Sequence, residues 1–157
     1  MRCYFWGTNN RPLREERALG VVSFAIPDWG VQFRAARTGD ATECEYAALL
    51  ALLRFVENNK SAFEGTRLEF YTDASAVVYQ VNRHTPVLPA QARQWSLARR
   101  LRTLFPFELG WIPKEQNRAF SGVLELAPFQ MKRSLQYPKL DPPSAADPRG
   151  GNTPGNS

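Results

Sequence analysis

The sequence is poor in the residues that build covalent or metal frameworks. It holds two cysteines, Cys3 and Cys44, and a single histidine, His84. Two cysteines make no disulfide scaffold, and neither lies in a CxxC or Cys/His ligand cluster. The expectation is two reduced, structural thiols. A lone histidine in a loop is ordinary polar surface. No apolar run reaches the length of a membrane span, and no internal repeat is present. The N-terminal MRCYFWG has neither a long apolar segment nor a signal-peptide cleavage pattern. These absences point to a cytoplasmic protein without a membrane partner. Negative charge is also in short supply. Lys and Arg total 20 against 15 Asp and Glu, for a net +5 and a pI near 9.6. That surplus suits a polyanionic partner, and most of it is arginine, the better planar ligand for phosphate.

What is present is enough chain, 157 residues, for one domain with its own core. Residues 2–8, 19–26 and 31–37 read as strands, the last from its period-2 alternation of Val31, Phe33 and Ala35. Short links between them predict an antiparallel meander. Ala41–Asn58 is rich in Ala and Leu and free of Gly and Pro, so it reads as a long helix. Thr42 is its expected cap, and the Asn58-Asn59 pair its expected end. Leu68–Asp73 is a fourth strand and 74–82 a helix, followed by a proline-bearing loop over 83–90. A second amphipathic helix covers 91–105. A fifth strand over 107–112 leads through the loop 113–117 to a short helix at 121–127. The fold class is therefore α/β: a mixed five-stranded sheet, a three-strand antiparallel meander plus two parallel strands, with helices on its faces. Residues 1–136 form the expected domain. The Pro- and Gly-rich segment 137–157 is expected to be a flexible tail.

Two carboxylates stand out. Asp73 closes the fourth strand just before a helix, where α/β proteins often place chemistry. Taken alone, it reads as an N-cap. Glu45 lies on the edge of the long helix's apolar surface, next to Tyr46, Leu49 and Leu52. A carboxylate there is costly unless it meets a cleft, a metal or a partner; otherwise it is a solvated helix-end acid. Glu43 is the more ordinary acid of a helix start.

Three motifs carry a family resemblance. ATECEYAALLALL resembles the first-helix motif of the ribonuclease H family, in which a glutamate opens the long helix. LEFYTDASAVVYQVN is similar to that family's fourth strand and next helix. FELGWIPKEQNRAFSGVLELA resembles its last strand and final helix, with the pattern Trp-(Val/Ile)-Pro-(Lys/Arg)-Glu-x-Asn. Together they span about residues 3–127 and look most like the compact bacterial and archaeal members. The resemblance implies the ribonuclease H-like fold and a site of four acids holding two Mg²⁺ or Mn²⁺ ions about 3.5–4 Å apart. Carried onto this sequence, two of those acids match Glu45 and Asp73. The first-strand aspartate falls on Trp6, before Gly7, and the final-helix aspartate falls on Ser121. An indole does not ligate Mg²⁺, and Ser121 offers at best a neutral oxygen. The loop 9–17 also departs from the family's glycine-rich turn, and His84 lies in the wrong segment to match its mobile histidine.

The expected function is therefore a catalytically degenerate ribonuclease H-like protein. It binds RNA, DNA or their hybrid, or a nucleic-acid-processing complex, and needs no cofactor. Arg11, Arg14, Arg17, Arg93, Arg99, Arg100 and Arg102 are the candidate phosphate contacts. Trp6 is either a stacking platform for bases or plain core filling. The alternative is an active metal-dependent ribonuclease with non-standard ligands. In that case Mg²⁺ or Mn²⁺ is required and Glu125, one helical turn beyond Ser121, is the substitute acid. A third reading is a protein-interaction scaffold.

Overall fold

The inner strands of the sheet are buried on both faces, with Phe5–Gly7 and Ala25–Ile26 all covered, while β3 alternates toward the edge. β1 (Arg2–Thr8), β2 (Ala18–Ile26) and β3 (Val31–Gly39) form the expected antiparallel meander. The β2–β3 link is a 3₁₀ turn over Pro27–Trp29, closed by Gly30 in the left-handed region at φ 61°. β4 (Leu68–Thr72) runs parallel to β1, and β5 (Phe107–Trp111) runs parallel to β4. The order across the sheet is β3-β2-β1-β4-β5. This computed structural model describes residues 1–83 and 87–121, with the backbone alone at Ser121. His84, Glu125 and the expected tail 137–157 lie outside the described residues.

The long helix α1 (Ala41–Asn58) covers one face of the sheet. Phe5, Phe24 and Phe70 from the strands meet Leu49, Leu52 and Val56 from α1, all fully buried. Burial of each such side chain is worth about 1.5–3 kcal/mol. Close seating of the helix depends on Gly7, where a Cβ atom would stand 2.2 Å from the Cys44 carbonyl oxygen. Cys3 and Cys44 are buried and unbridged. Burial pushes the Cys3 thiol up to about 12 and the Cys44 thiol up to about 11.

Two termini correct the sequence expectation. The cap of α1 is Asp40, not Thr42. Asp40 Oδ1 accepts from Glu43 N at 2.8 Å, and Glu43 Oε2 accepts from Asp40 N at 2.7 Å, a reciprocal capping box. The D-x-x-E spacing that produces it was visible in the sequence. Asn59 ends the helix as expected. The last described helix, α5 (Arg118–Ser121), starts three residues earlier than expected. Asn117 starts it, its Oδ1 accepting from Ala119 N at 3.1 Å.

The remaining helices are a short α2 (Lys60–Phe63), which the sequence did not announce, α3 (Ser75–Arg83) and α4 (Ala92–Leu104). α4 packs on α1 and α3 beside the β4–β5 end of the sheet, while α5 lies against β1 and β2. No helix among the described residues is long and apolar enough to cross a membrane.

Candidate functional site

The parallel register sets Tyr4 beside Tyr71, so Trp6 and Asp73 lie two residues further along neighbouring strands. Gly7 brings the first turns of α1 down onto the same strand ends, and with them Glu45. α5 arrives on the opposite face. The positions implied by the three motifs thus converge at one end of the sheet.

Glu45 is buried, with only 8% of its surface exposed. Its partner is Arg14, whose Nη2 donates to Glu45 Oε2 at 2.8 Å and to Thr42 Oγ1 at 3.1 Å. Burial pushes the Glu45 carboxyl above the usual carboxylate range. The Arg14 hydrogen bond and charge oppose that shift without cancelling it, and the charges of Asp73 and Asp40 add to it. Arg14 is itself fixed at the backbone, its carbonyl accepting from Ala41 N at 3.1 Å. The buried Glu45 meets a guanidinium delivered by the loop after β1.

That whole loop is fastened to the start of α1. Asn9 Nδ2 donates to Glu16 O at 2.5 Å and to Gly39 O at 3.0 Å. Arg17 pairs with Glu43, and Arg11 Nε stands 3.6 Å from Glu16 Oε1. Burial pushes the Glu43 carboxyl up, but the hydrogen bonds from Arg17 and from Asp40 N outweigh it, and the carboxyl is held below its ordinary value. Three of the arginines proposed as phosphate contacts thus have acids of the same chain within ion-pair distance.

Asp73 faces a different partner. Asn117, fully buried, donates its Nδ2 to Asp73 Oδ1 at 2.7 Å and to Phe5 O at 2.9 Å. One side-chain amide so ties the end of β4, the middle of β1 and the start of α5. Ser23 Oγ adds a 2.8 Å bond to Ala119 O. The turn into α3 is shaped by Thr72, whose Oγ1 accepts from Ala74 N at 3.2 Å. The bridging role of Asn117 was missed in the sequence, although the residue sits at the Asn of the Trp-Ile-Pro-Lys-Glu-Gln-Asn motif.

Trp6 occupies the third position. It is 9% exposed and forms a small second core with Ala25 and Ala119. Its ring lies 5.0 Å from the Phe120 ring at an interplanar angle of 53°. Lys114 Nζ stands 4.6 Å from the Phe120 centroid and 5.9 Å from that of Trp6, capping the pair with a cation. Among the described residues, no group of three or more His, Cys, Asp or Glu comes together to hold a metal ion.

On α4, Arg93 and Arg100 are exposed. Arg99 lies over the Trp95 ring at 5.0 Å. Arg102 turns inward, donating Nε to Phe107 O at 3.2 Å and Nη1 to Asn82 Oδ1 at 2.9 Å. Burial, with the nearby Arg99 charge, lowers its pKa.

With this geometry in hand, the known structures it resembles can be stated. No family model matches the sequence, and no curated protein sequence matches it. Solved structures do. The fold is similar to RNase H1 LC11, isolated from compost by a metagenomic approach, with a TM-score of 0.65 at 16% identity over 79% of this chain and 97% of that one. LC11-RNase H1 solved in complex with an RNA/DNA hybrid gives 0.63 at 16% identity, over 79% and 99%. RNase H1 from the halophilic archaeon Halobacterium salinarum gives 0.58 at 22% identity, over 77% and 91%. The chain therefore has the ribonuclease H-like fold, as the three motifs implied.

Proposed function

We propose that this chain is a cytoplasmic nucleic-acid-binding protein built on the ribonuclease H fold, in which two-metal cleavage has been lost. The observation that carries the reading is Trp6. Two-metal hydrolysis needs carboxylate oxygens around a cation pair about 3.5–4 Å apart. At the first-strand position an indole is packed instead, held by Phe120 and Ala119. Arg14 places a positive charge directly on Glu45, which repels an incoming metal ion as it neutralises the acid. Asn117 occupies an oxygen of Asp73. The residues present do not fit a metal pair, so no cofactor is assigned and no hydrolytic step is derived.

The hybrid complex of LC11-RNase H1, a protein of the same fold, supports a nucleic-acid partner, as does the net charge of +5. With Arg11, Arg14 and Arg17 facing acids of their own chain, phosphate contact is assigned first to Arg93 and Arg100, the exposed arginines of α4. The binding unit is assigned to residues 1–136, with 137–157 as a separate tail.

Fluorescence anisotropy with labelled single-stranded DNA, single-stranded RNA and an RNA–DNA hybrid tests the reading. The expected result is binding that weakens steadily as salt rises, with a log–log slope of about −2 to −3 for a handful of phosphate contacts. Absence of binding to every member of the panel at low salt would overturn it and favour the protein-scaffold reading.

A further inference from the structure

The edge of the sheet next to α3 carries two large aromatics that the core does not use. Trp111, at the end of the edge strand β5, is 55% exposed, and Tyr79, on the outer stripe of α3, is also 55% exposed. Exposed tryptophan is uncommon on a soluble surface. This one is held in place: its Nε1 donates to Asp73 O at 3.2 Å. With the indole N–H satisfied internally, the surface the ring offers is its π-face, which stacks but reads no hydrogen-bond pattern.

A cation follows the aromatics along the same strip. α3 presents Ser75, Tyr79, Asn82 and Arg83 outward, spaced as one helical stripe of about 12 Å. Arg83 lies over the Tyr79 ring at 5.7 Å. Asn82 Nδ2 donates to Leu109 O at 2.9 Å, which fixes the C-terminal part of the stripe against β5. Trp111, at the strand's far end, is fixed to Asp73, two residues before α3. Arg102, turned inward from α4, braces Asn82 from behind through its Nη1 bond. The nearby acid Glu108 projects from the other face of β5, where Arg67 Nη2 meets it at 2.5 Å.

We infer that this strip, Trp111–Tyr79–Arg83, is a binding surface for single-stranded nucleic acid. The inference rests on the nucleic-acid-binding reading above and names the strand form and the place. Exposed aromatic faces with an arginine beside them are what an unpaired strand requires: bases stack on the rings and a phosphate meets the guanidinium group. A duplex keeps its base faces inside its own stack and offers nothing to Trp111 or Tyr79. Because the rings read no donor or acceptor code, the surface binds without marked sequence preference. It lies on the outer side of α3 and β5, apart from the Trp6–Phe120 core.

The test compares the parent with Trp111→Ala, Tyr79→Ala and Trp111→Phe in the same anisotropy assay. Poly-dT and poly-U oligonucleotides are set against a blunt RNA–DNA hybrid, and circular dichroism melting establishes that each variant is folded. The expected result is that the parent prefers single strands. The Trp111→Ala and Tyr79→Ala single variants each weaken single-strand binding about 5- to 100-fold, the range of one lost stacking contact. Trp111→Phe keeps most of the affinity, and hybrid binding is unchanged by all three. Nucleic-acid binding that is unaffected by both alanine variants, or that favours the hybrid, overturns the strip while leaving the broader reading intact. No binding of any nucleic acid at low salt overturns the broader reading and the strip with it.

Discussion

Glu43 and Glu45 stand two residues apart on α1 and answer pH in opposite senses. Burial raises the Glu45 pKa, so the fold favours its protonated form. Its contribution to stability is present in acid and is lost as pH rises through that raised value. Glu45→Gln keeps the neutral shape and an acceptor for Arg14. It is expected to melt at or above the parent temperature at pH 7, with the difference closing toward pH 4. The Glu43 pKa is held below its ordinary value by Arg17 and the Asp40 N–H against the opposing effect of burial. Its contribution is present at neutral pH and is lost as pH falls through the lowered value. Glu43→Gln therefore melts below the parent at pH 7, and its deficit shrinks in acid. Circular dichroism melts of both variants across pH 4–8 check the pair. Parallel pH profiles for the two would contradict the opposite directions of their shifts, and with them the dominance of burial over Arg14 at Glu45. Asn117 is the other residue on which much depends, because a single buried amide serves Asp73, Phe5 and Ala119. Asn117→Ala orphans buried polar groups at about 1–3 kcal/mol each, and a chemical-denaturation midpoint close to that of the parent would contradict this role.

Among the elements, those set by local pattern were legible in advance. Alternation marked β3, and the Ala- and Leu-rich run without Gly or Pro marked α1 over the observed Ala41–Asn58. The cap was misplaced because Thr42 was read without its partner. Asp40 wins because Glu43, three residues on, can return the hydrogen bond. Asp40→Ala is expected to cost about 1 kcal/mol, read as a lowered urea midpoint with unchanged slope. The start of α5 was misplaced for a related reason: its signal is Asn117, hidden inside a motif read as loop. The site was legible only in part. Glu45, Asp73, Trp6 and Ser121 were placed by motif order, and the structure sets the first three near one end of the sheet. What no local pattern contained is that Arg14 lands on Glu45, 31 residues away, and that Asn117 lands on Asp73, 44 residues away. Those contacts exist only once β1, α1, β4 and α5 have been brought to one end of the sheet.

At the scale of the molecule, the chain has the ribonuclease H-like fold, and its two acids Glu45 and Asp73 are engaged by Arg14 and Asn117. Trp6 packs between β1 and α5, Arg14 supplies the charge that Glu45 faces, and Trp111 and Tyr79 are exposed at the outer edge. The central claim is that the fold binds nucleic acid without two-metal cleavage. The most direct measurement is incubation of a 5′-labelled RNA–DNA hybrid with folded, purified protein in Mg²⁺ and separately in Mn²⁺, resolved on a denaturing gel. The hybrid is predicted to remain intact with either ion. RNA-strand cleavage that disappears in Asp73→Asn would contradict the claim and establish a metal-dependent ribonuclease with non-standard ligands.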